Sequence, residues 1–414
     1  MWRNSDFLKL WTGQTVSELG SRITRDGLPL AAVLVLNAGP MEMSILKALN
    51  GAAVLLLGLY AGMWSDRFRR RPTMIVADVG RAMLLAIIPA AAVLHRLNMP
   101  LLYVVATLTG ILTIFFDVAY QTYLPDLVER ANVLEGNSKL ALSHSIAEIV
   151  GPGLTGVLVQ ILTAPMAILF DALSFLFSAV TVSWIRKPER IHPRTSEEHP
   201  FHEAIGGFRF IASNPALRLL AAYNTTAFFC FGIFQPLYVL YAIRELGLSA
   251  LQLQIAIMSG GVAALLGAAL APRIGRLLGL GPTFLISAAL LSCGTLLIPL
   301  ARGPALVALG IMIASQFVGD VAMMTFNVHE VSLRQTLAPE AVLGRVNGSM
   351  RLLTFGVLPI GTLAGGGLAS WIGLRPALWI AVAGLGLAVA WLVPLRVPDD
   401  RPRDTELRLE AHPD

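Results

Sequence analysis

The sequence predicts an all-α polytopic membrane protein, with twelve transmembrane helices in two pseudo-symmetric six-helix halves. Three observations carry this. Of the 414 residues, 55% are apolar and only 14% charged, whereas a soluble domain carries about a quarter charged residues. Apolar runs of about 20 residues, enough to cross a hydrocarbon core roughly 30 Å thick, recur along most of the chain. Local patterns in the first half of the chain also return, in the same order, in the second. A transmembrane barrel would instead alternate within strands of about ten residues.

The first six spans read near 10–36, 45–64, 74–94, 101–124, 140–162 and 164–185. A polar segment rich in Pro, Glu, Arg and His follows at 186–200. Next comes a short amphipathic helix at 201–214, with Phe201, Ile205, Phe208 and Ile211 on one face. A helix of that pattern is expected to lie in the membrane interface. The second six spans read near 217–242, 251–271, 283–300, 305–326, 346–372 and 376–395. The chain thus divides into an N-terminal half at 1–185, a cytoplasmic link at 186–216, a C-terminal half at 217–397 and a polar tail at 398–414.

Orientation follows from the positive charges. Most of the 31 Lys and Arg fall on the side that holds both termini, the central link and the cluster Asp66, Arg67, Arg69, Arg70 and Arg71. Lys47, Arg96, Arg244, Arg302 and Arg375 fall on the other side. Basic residues are retained in the cytoplasm, so both termini are expected there, in a multi-pass protein of the cell (inner or plasma) membrane. No cleavable signal is expected, because the first span starts with charges.

The repeat rests on three matches. Asp117-Val118-Ala119 recurs as Asp320-Val321-Ala322. Asn137-Ser138 has a counterpart in Asn347-Gly348-Ser349. Pro165 opens one span as Pro376 opens another. Transporters built from repeated halves bind substrate between the halves, near the bilayer midplane.

Several function classes are excluded. The formal charge of +5 sits in loops, as topology requires, so no nucleic-acid partner is read from it. Cys230 and Cys293 lie inside spans and form neither a disulfide framework nor a metal motif. No metal or cofactor is expected. The sequence has no His-Glu-x-x-His, no nucleophile elbow and no P-loop, so neither an enzyme nor a self-contained ATP-driven pump is indicated.

Twelve spans, a central link and a basic motif after the second span together resemble the major facilitator superfamily. The family motif runs Gly, three residues, Asp-Arg, one residue, Gly, then two basic residues. Gly62, Asp66, Arg67, Arg70 and Arg71 match it, and Arg69 stands where the second Gly is usual. The second-half equivalent, around Pro272, Arg273, Gly275 and Arg276, lacks the acid. Further features resemble the branch holding the enterobactin exporter and macrolide efflux proteins. These are Leu10-Trp11 with Gly13-Gln14, Asp171-Ala172 with Ser174-Phe175, and the segment from Phe208 to Arg218. Gly151-Pro152 with Gly156 is similar to a Gly-Pro motif of drug:proton antiporters, where it accompanies export. The resemblance implies a conformational latch at Gly62, Asp66, Arg67, Arg70 and Arg71, with Asp66 facing the positive N-terminus of the eleventh span. The alternative is a basic loop that only sets topology.

A charge inside a bilayer costs a few kcal/mol and needs a reason. Glu18, Arg22, Arg25 and Asp26 share one face of the first span by their spacing. They read either as a polar cavity wall, with Asp26 or Glu18 accepting a proton or cation, or as an internally neutralised ladder. Arg22 or Arg25 can also meet an anionic substrate. Asp78 and Arg81 read as a local ion pair, and Asp171 as a structural residue. Asp117 with Thr113 and Gln121, and Asp320 with Gln316, form repeat-related polar stripes. Glu148, one turn from His144 and just before Gly151-Pro152, is the leading candidate for proton coupling, beside Asp26, Glu18 and Asp117. Asn224, Phe228, Phe231 and Gln235 share a face of the seventh span and suit an amphipathic organic substrate. Arg351 is a candidate partner for a first-half acid.

The reading that unites these residues is a proton-coupled exporter of a lipophilic or amphipathic small molecule, such as a drug or siderophore-like compound, acting as a monomer by alternating access. Its partners are the substrate, protons and membrane lipid. Two alternatives stay open: an uncoupled facilitator or lysolipid flippase of the same fold, and a non-transporting membrane sensor.

Overall fold

A computed structural model describes residues 4–49, 51, 69–129, 132–187 and 200–395, with the side chains of 200–205 excluded. Among these residues there are helices and no strands. The helices are α1 (Ser5–Leu34), α2 (40–49), α3 (Arg70–Val93), α4 (Met99–Leu127), α5 (Val133–Ile161), α6 (Ala164–Ser183) and α7 (Pro200–Ser213). There follow α8 (Pro215–Leu240), α9 (Ala250–Leu278), α10 (Leu280–Leu300), α11 (Ala305–Leu337), α12 (Glu340–Gly356), α13 (Leu358–Ile372) and α14 (Leu374–Ala388). A π-turn at Tyr241–Glu245 extends α8, and a 3₁₀ turn at Val389–Leu392 extends α14.

Side-chain caps set several helix starts. Asn4 accepts from the amides of Asp6 and Phe7 at 3.1 and 3.0 Å, Asn98 from Leu101 at 2.9 Å, and Asn214 from Ala216 at 3.0 Å. Ser249 and Gln252 form a reciprocal capping box at the start of α9. Each satisfies amide donors that the first turn of a helix leaves free.

Among the described residues, ten helices are long and apolar enough to cross a membrane. The expected first span is helical as far as Leu34 in α1, but Glu18, Arg22, Arg25 and Asp26 lower its hydropathy. Most of the expected second span, with Gly62, Asp66 and Arg67, lies outside the described residues, as do 188–199 of the link and the tail from 396 onward. The expected eleventh span is two helices. Pro359 has no N–H to give the Phe355 carbonyl, and the chain breaks at Val357 between α12 and α13. Other helices outrun their apolar stretches. α11 ends at Leu337 rather than at 326, and α5 begins at Val133 rather than at 140. Backbone hydrogen bonding continues past the hydrocarbon boundary wherever polar side chains can reach water.

Packing falls mostly within two sets of helices. In the first, α6 packs along α1 and α3, α3 along α4, and α1 along α5. In the second, α11 packs along α9 and α10, and α8 along α13 and α14. Between the sets, α5 packs along α9. The amphipathic helix α7 docks on protein: a Cβ at Gly207 would lie 2.3 Å from the Arg345 carbonyl oxygen of α12, and Ile211 is buried. The expected interfacial face is therefore partly covered by α12.

The apolar cores differ between the two ends. Near Asn37, one cluster joins both sets, with Leu30, Met43 and Ile168 from the first and Leu237, Leu253 and Met312 from the second. At the opposite end the sets have separate clusters. One is built on Phe7, Leu10, Met74 and Tyr123, the other on Leu217, Phe284, Val346 and Leu392. Arg244 also donates to Asn37 across the sets at 2.7 Å. Among the described residues, buried apolar contact thus ties the sets together at the Asn37 end and not at the Phe7 end.

Candidate functional site

Three groups of polar residues lie within the membrane-length helices. The first is between α1 and α5. His144 Nδ1 meets Glu18 Oε2 at 3.2 Å. Arg22 and Arg25 donate to the two oxygens of Glu148 at 2.7 and 2.6 Å. Arg22 also pairs with Asp26 at 3.1 Å, one turn along α1, and Lys47 of α2 lies in electrostatic reach of Asp26. The four charges expected on one face of α1 do lie together, but their pairing is chiefly with α5. Glu148 and His144 likewise pair with α1 rather than with each other. Arg25 keeps 45% of its side chain exposed and Arg22 12%.

The Gly-Pro segment makes this crossing close. A Cβ at Gly151 would sit 2.3 Å from Arg22 Cγ, so a side chain there would displace the Arg22 stem. Pro152 has no N–H, which leaves the Glu148 carbonyl without its helical partner. One turn further on, a Cβ at Gly156 would lie 3.0 Å from the Leu251 Cα of α9. The same short segment thus fits α1 on one side and the second set on the other.

The second group is buried in the first set. Asp78 and Asp171 are 0% and 1% exposed, and Arg81 3%. Arg81 donates to Asp78 and, at 3.4 Å, to Thr113. Its guanidinium lies over the Phe116 ring at 4.3 Å and the Phe175 ring at 4.0 Å, an attraction between cation and ring faces. Asp171 accepts from the Ser174 hydroxyl at 3.1 Å. Asp117 and Gln121, on α4, are exposed, and Asp117 is in electrostatic reach of Arg81.

The third group belongs to the second set. Phe228 packs edge-on against Phe355 with centroids 5.4 Å apart and lies 6.3 Å from Phe231. The run continues through Phe234 to Tyr238. Phe231 is 37% exposed and Gln235 half-buried. Asp320 and Gln316 both face Gly260 of α9. Asn224 is separated from the aromatic face: it is buried and donates to Glu330 Oε1 at 2.9 Å. Arg334 Nε lies 3.5 Å from the same oxygen. Arg351 is exposed, and no first-set acid among the described residues pairs with it.

Of the basic motif, Arg70 and Arg71 are described. Arg70 pairs with Asp126 of α4. Arg71 donates to the Val182 carbonyl at 3.1 Å and to that of Ser183. These contacts lie within the first set. A pocket of about 1080 Å³ opens beside Arg71, lined also by Asp6, Lys9, Trp184 and Arg186.

Glu330, Asp126, Lys47 and the rings around Arg81 are neighbours of these polar groups that spacing in the sequence does not reveal. Glu330 is the exception: its i, i+4 spacing to Arg334 continues the helix beyond 326. The ring sandwich joins three helices and leaves no local signal.

The comparisons with known proteins agree with this architecture. Residues 10–357 match the Major Facilitator Superfamily. The multidrug efflux pump Tap of Mycolicibacterium fortuitum is 27% identical over 387 residues, covering 89% of this chain and 91% of that one. The enterobactin exporter EntS of Citrobacter koseri is 23% identical over 358 residues, covering 85% and 82%. The crystal structure of the nucleoside transporter NupG superposes with a TM-score of 0.78 at 11% identity, covering 94% and 98%; that likeness is one of fold. With the family match running from α1 to the break after α12, through every polar group described above, the chain belongs to the Major Facilitator Superfamily of membrane transporters.

Proposed function

We propose that this transporter is a proton-coupled exporter of an amphipathic small molecule, working by alternating access between two six-helix halves. The observation that carries the reading is the unequal sealing of the two ends among the described residues: one shared apolar core near Asn37, two separate cores at the Phe7 end. Twelve spans with both termini cytoplasmic make this a state open to the cytoplasm, ready to load substrate for export. The two walls suit an amphipathic molecule. The first set offers Glu18, Arg25, Asp117, Gln121, His144 and Glu148, and the second offers Phe228, Phe231, Gln235, Asp320 and Phe355. Charged groups in the middle of spans are retained where they face water or one another, which assigns the partly exposed ones to the cleft. Asp66 completes the latch of which Arg70 and Arg71 are the anchored part. The export direction and substrate range draw support from Tap and EntS, whose names give multidrug efflux and enterobactin export.

The test is transport by the purified protein in proteoliposomes. Ethidium, enterobactin and lysophosphatidylcholine serve as probes, each with and without an imposed pH gradient. Gradient-driven movement of at least one probe, abolished by a protonophore, is expected. Movement that ignores the gradient makes the protein an uncoupled facilitator or flippase. No movement of any probe, together with no binding by thermal shift, removes the exporter reading.

A further inference from the structure

We propose that Asp78 and Asp171 hold one exchangeable proton between them, beside Arg81, and that this buried pair is where the transporter carries its proton. The inference rests on the proton-coupled reading above and gives it a location.

The argument is one of charge count in a dry place. Asp78, Asp171 and Arg81 are all at least nine-tenths buried. Asp171 stands one turn before Phe175, the ring that lies 4.0 Å from the Arg81 guanidinium; Arg81 and Asp78, both from α3, are in its electrostatic reach, and Thr24 of α1 is its polar neighbour. Asp78 has Arg81 as its charged partner. In the buried core one guanidinium therefore faces two carboxylates, with the exposed Asp117 a third acid in its reach. An unpaired charge buried in protein is strongly destabilising, and two nearby carboxylates with one cation are balanced by one proton. The cluster between α1 and α5 has no such deficit: Arg22, Arg25 and Lys47 stand against Glu18, Asp26 and Glu148, with His144 beside Glu18. Of these two clusters, the one whose charge count calls for a proton is thus the deep one, and not that of the ion-paired Glu148.

Local packing shows a site with an unused bonding position. Asp78 Oδ2 and Arg81 Nε are buried with no hydrogen bond within 3.5 Å, and the Ser178 hydroxyl is the nearby polar group on Asp78. Phe116 and Phe175 cover both faces of the guanidinium, which holds it in plane. Asp171 is pressed against α1, where a Cβ at Gly20 would fall 2.6 Å from its Oδ1. Arg81 also connects the pair to the cleft. Asp117, next in sequence to Phe116, is exposed and in electrostatic reach of Arg81. Arg81 can lean toward Asp117 when the buried pair is protonated and toward Asp78 when it is not. Proton binding is thereby linked to the charge that a substrate meets at Asp117. The second set has no copy of this device: at the repeat offset that relates Asp117 to Asp320, the positions of Asp78, Arg81 and Asp171 fall at residues without charge.

Infrared spectroscopy of the full-length protein in lipid nanodiscs, without substrate, tests this. The probe is the proton alone. Wild type is expected to show a protonated-carboxyl C=O band at neutral pH that disappears reversibly on alkalinisation. Asp171→Asn removes most of its amplitude, and Glu148→Gln leaves it in place. Asp78→Asn is the second deletion; should it fail to fold, Asp171→Asn decides alone, because that variant keeps the Asp78–Arg81 pair. A band that is absent in wild type, survives Asp171→Asn unchanged, or persists at all pH values overturns the proposal. The last outcome would mark a structural proton that never leaves. Because no transport is measured, failure of this proposal is distinguishable from failure of gradient-driven export.

Discussion

Arg22 reaches Glu148 by lying across Gly151. A Cβ added at that glycine would be 2.3 Å from Arg22 Cγ and 2.7 Å from Arg22 Cβ. Both atoms are near the arginine's own backbone, so the stem cannot swing clear without moving α1. Gly151→Ala is therefore expected to lower stability by about 1–3 kcal/mol, the usual range for overpacking a close contact. Thermal unfolding of the purified protein measures it. In an Arg22→Ala background the same change loses most of its effect, because the two substitutions share one contact. Equal effects in both backgrounds would show that the stem is not what the glycine accommodates.

The two arginines on Glu148 are unequal. Arg25 keeps 45% of its side chain exposed against 12% for Arg22. Partly hydrated pairs contribute roughly 0–1 kcal/mol, so Arg25→Ala is expected to change unfolding little. Arg22→Ala takes a partner from Glu148 and from Asp26 together, and Asp26 is only 13% exposed. Its loss is expected to exceed that of Arg25→Ala by about 1–2 kcal/mol, with Lys47 limiting the damage. Matching melting temperatures for the two variants would contradict this ranking.

The helices were legible because apolar length is a local signal. The residues grouped on α1 were legible too, since spacing of three and four places them on one face. What spacing could not supply was the partner. Glu148 and His144 fit an intrahelical pair, yet each pairs with α1, because Gly151 brings the two helices close enough for charges to cross. The same gap hid the Arg81 site. Phe116 and Phe175 are ordinary apolar residues of two different spans until folding places a guanidinium between them. The break at Val357 had its cause in Pro359, but an uninterrupted apolar run concealed it.

Arg71 binds the last carbonyls of α6. Helix C-termini leave carbonyl oxygens free and carry partial negative charge, and a guanidinium fork can hold two of them at once. Arg71→Ala is expected to speed amide hydrogen exchange about tenfold over 180–187, equivalent to roughly 1.4 kcal/mol of local opening. Exchange in α9 to α11 should not change. Arg71→Lys recovers the charge without the fork and should give an intermediate rate. Faster exchange throughout the second set would mean that Arg71 also restrains motion between the sets.

Asn224 was grouped by spacing with Phe228 and Phe231, yet its amide points at a buried acid. It donates 2.9 Å to Glu330 Oε1, and both residues are at least nine-tenths buried. Removing the donor leaves a buried carboxyl short of a partner, which costs about 1–3 kcal/mol. Asn224→Ala should therefore lower the unfolding temperature, whereas Phe231→Ala, at a position 37% exposed, should lower it less. Asn224→Asp separates this account from simple loss of volume. It places a second carboxylate against Glu330 with Arg334 as the nearby cation, and like charges at that distance oppose joint ionisation. The folded state of this variant then binds a proton that the unfolded chain releases near neutral pH. Its stability deficit relative to wild type should shrink as pH falls from 8 toward about 5. A deficit constant across that range would place the Asn224 side chain away from Glu330.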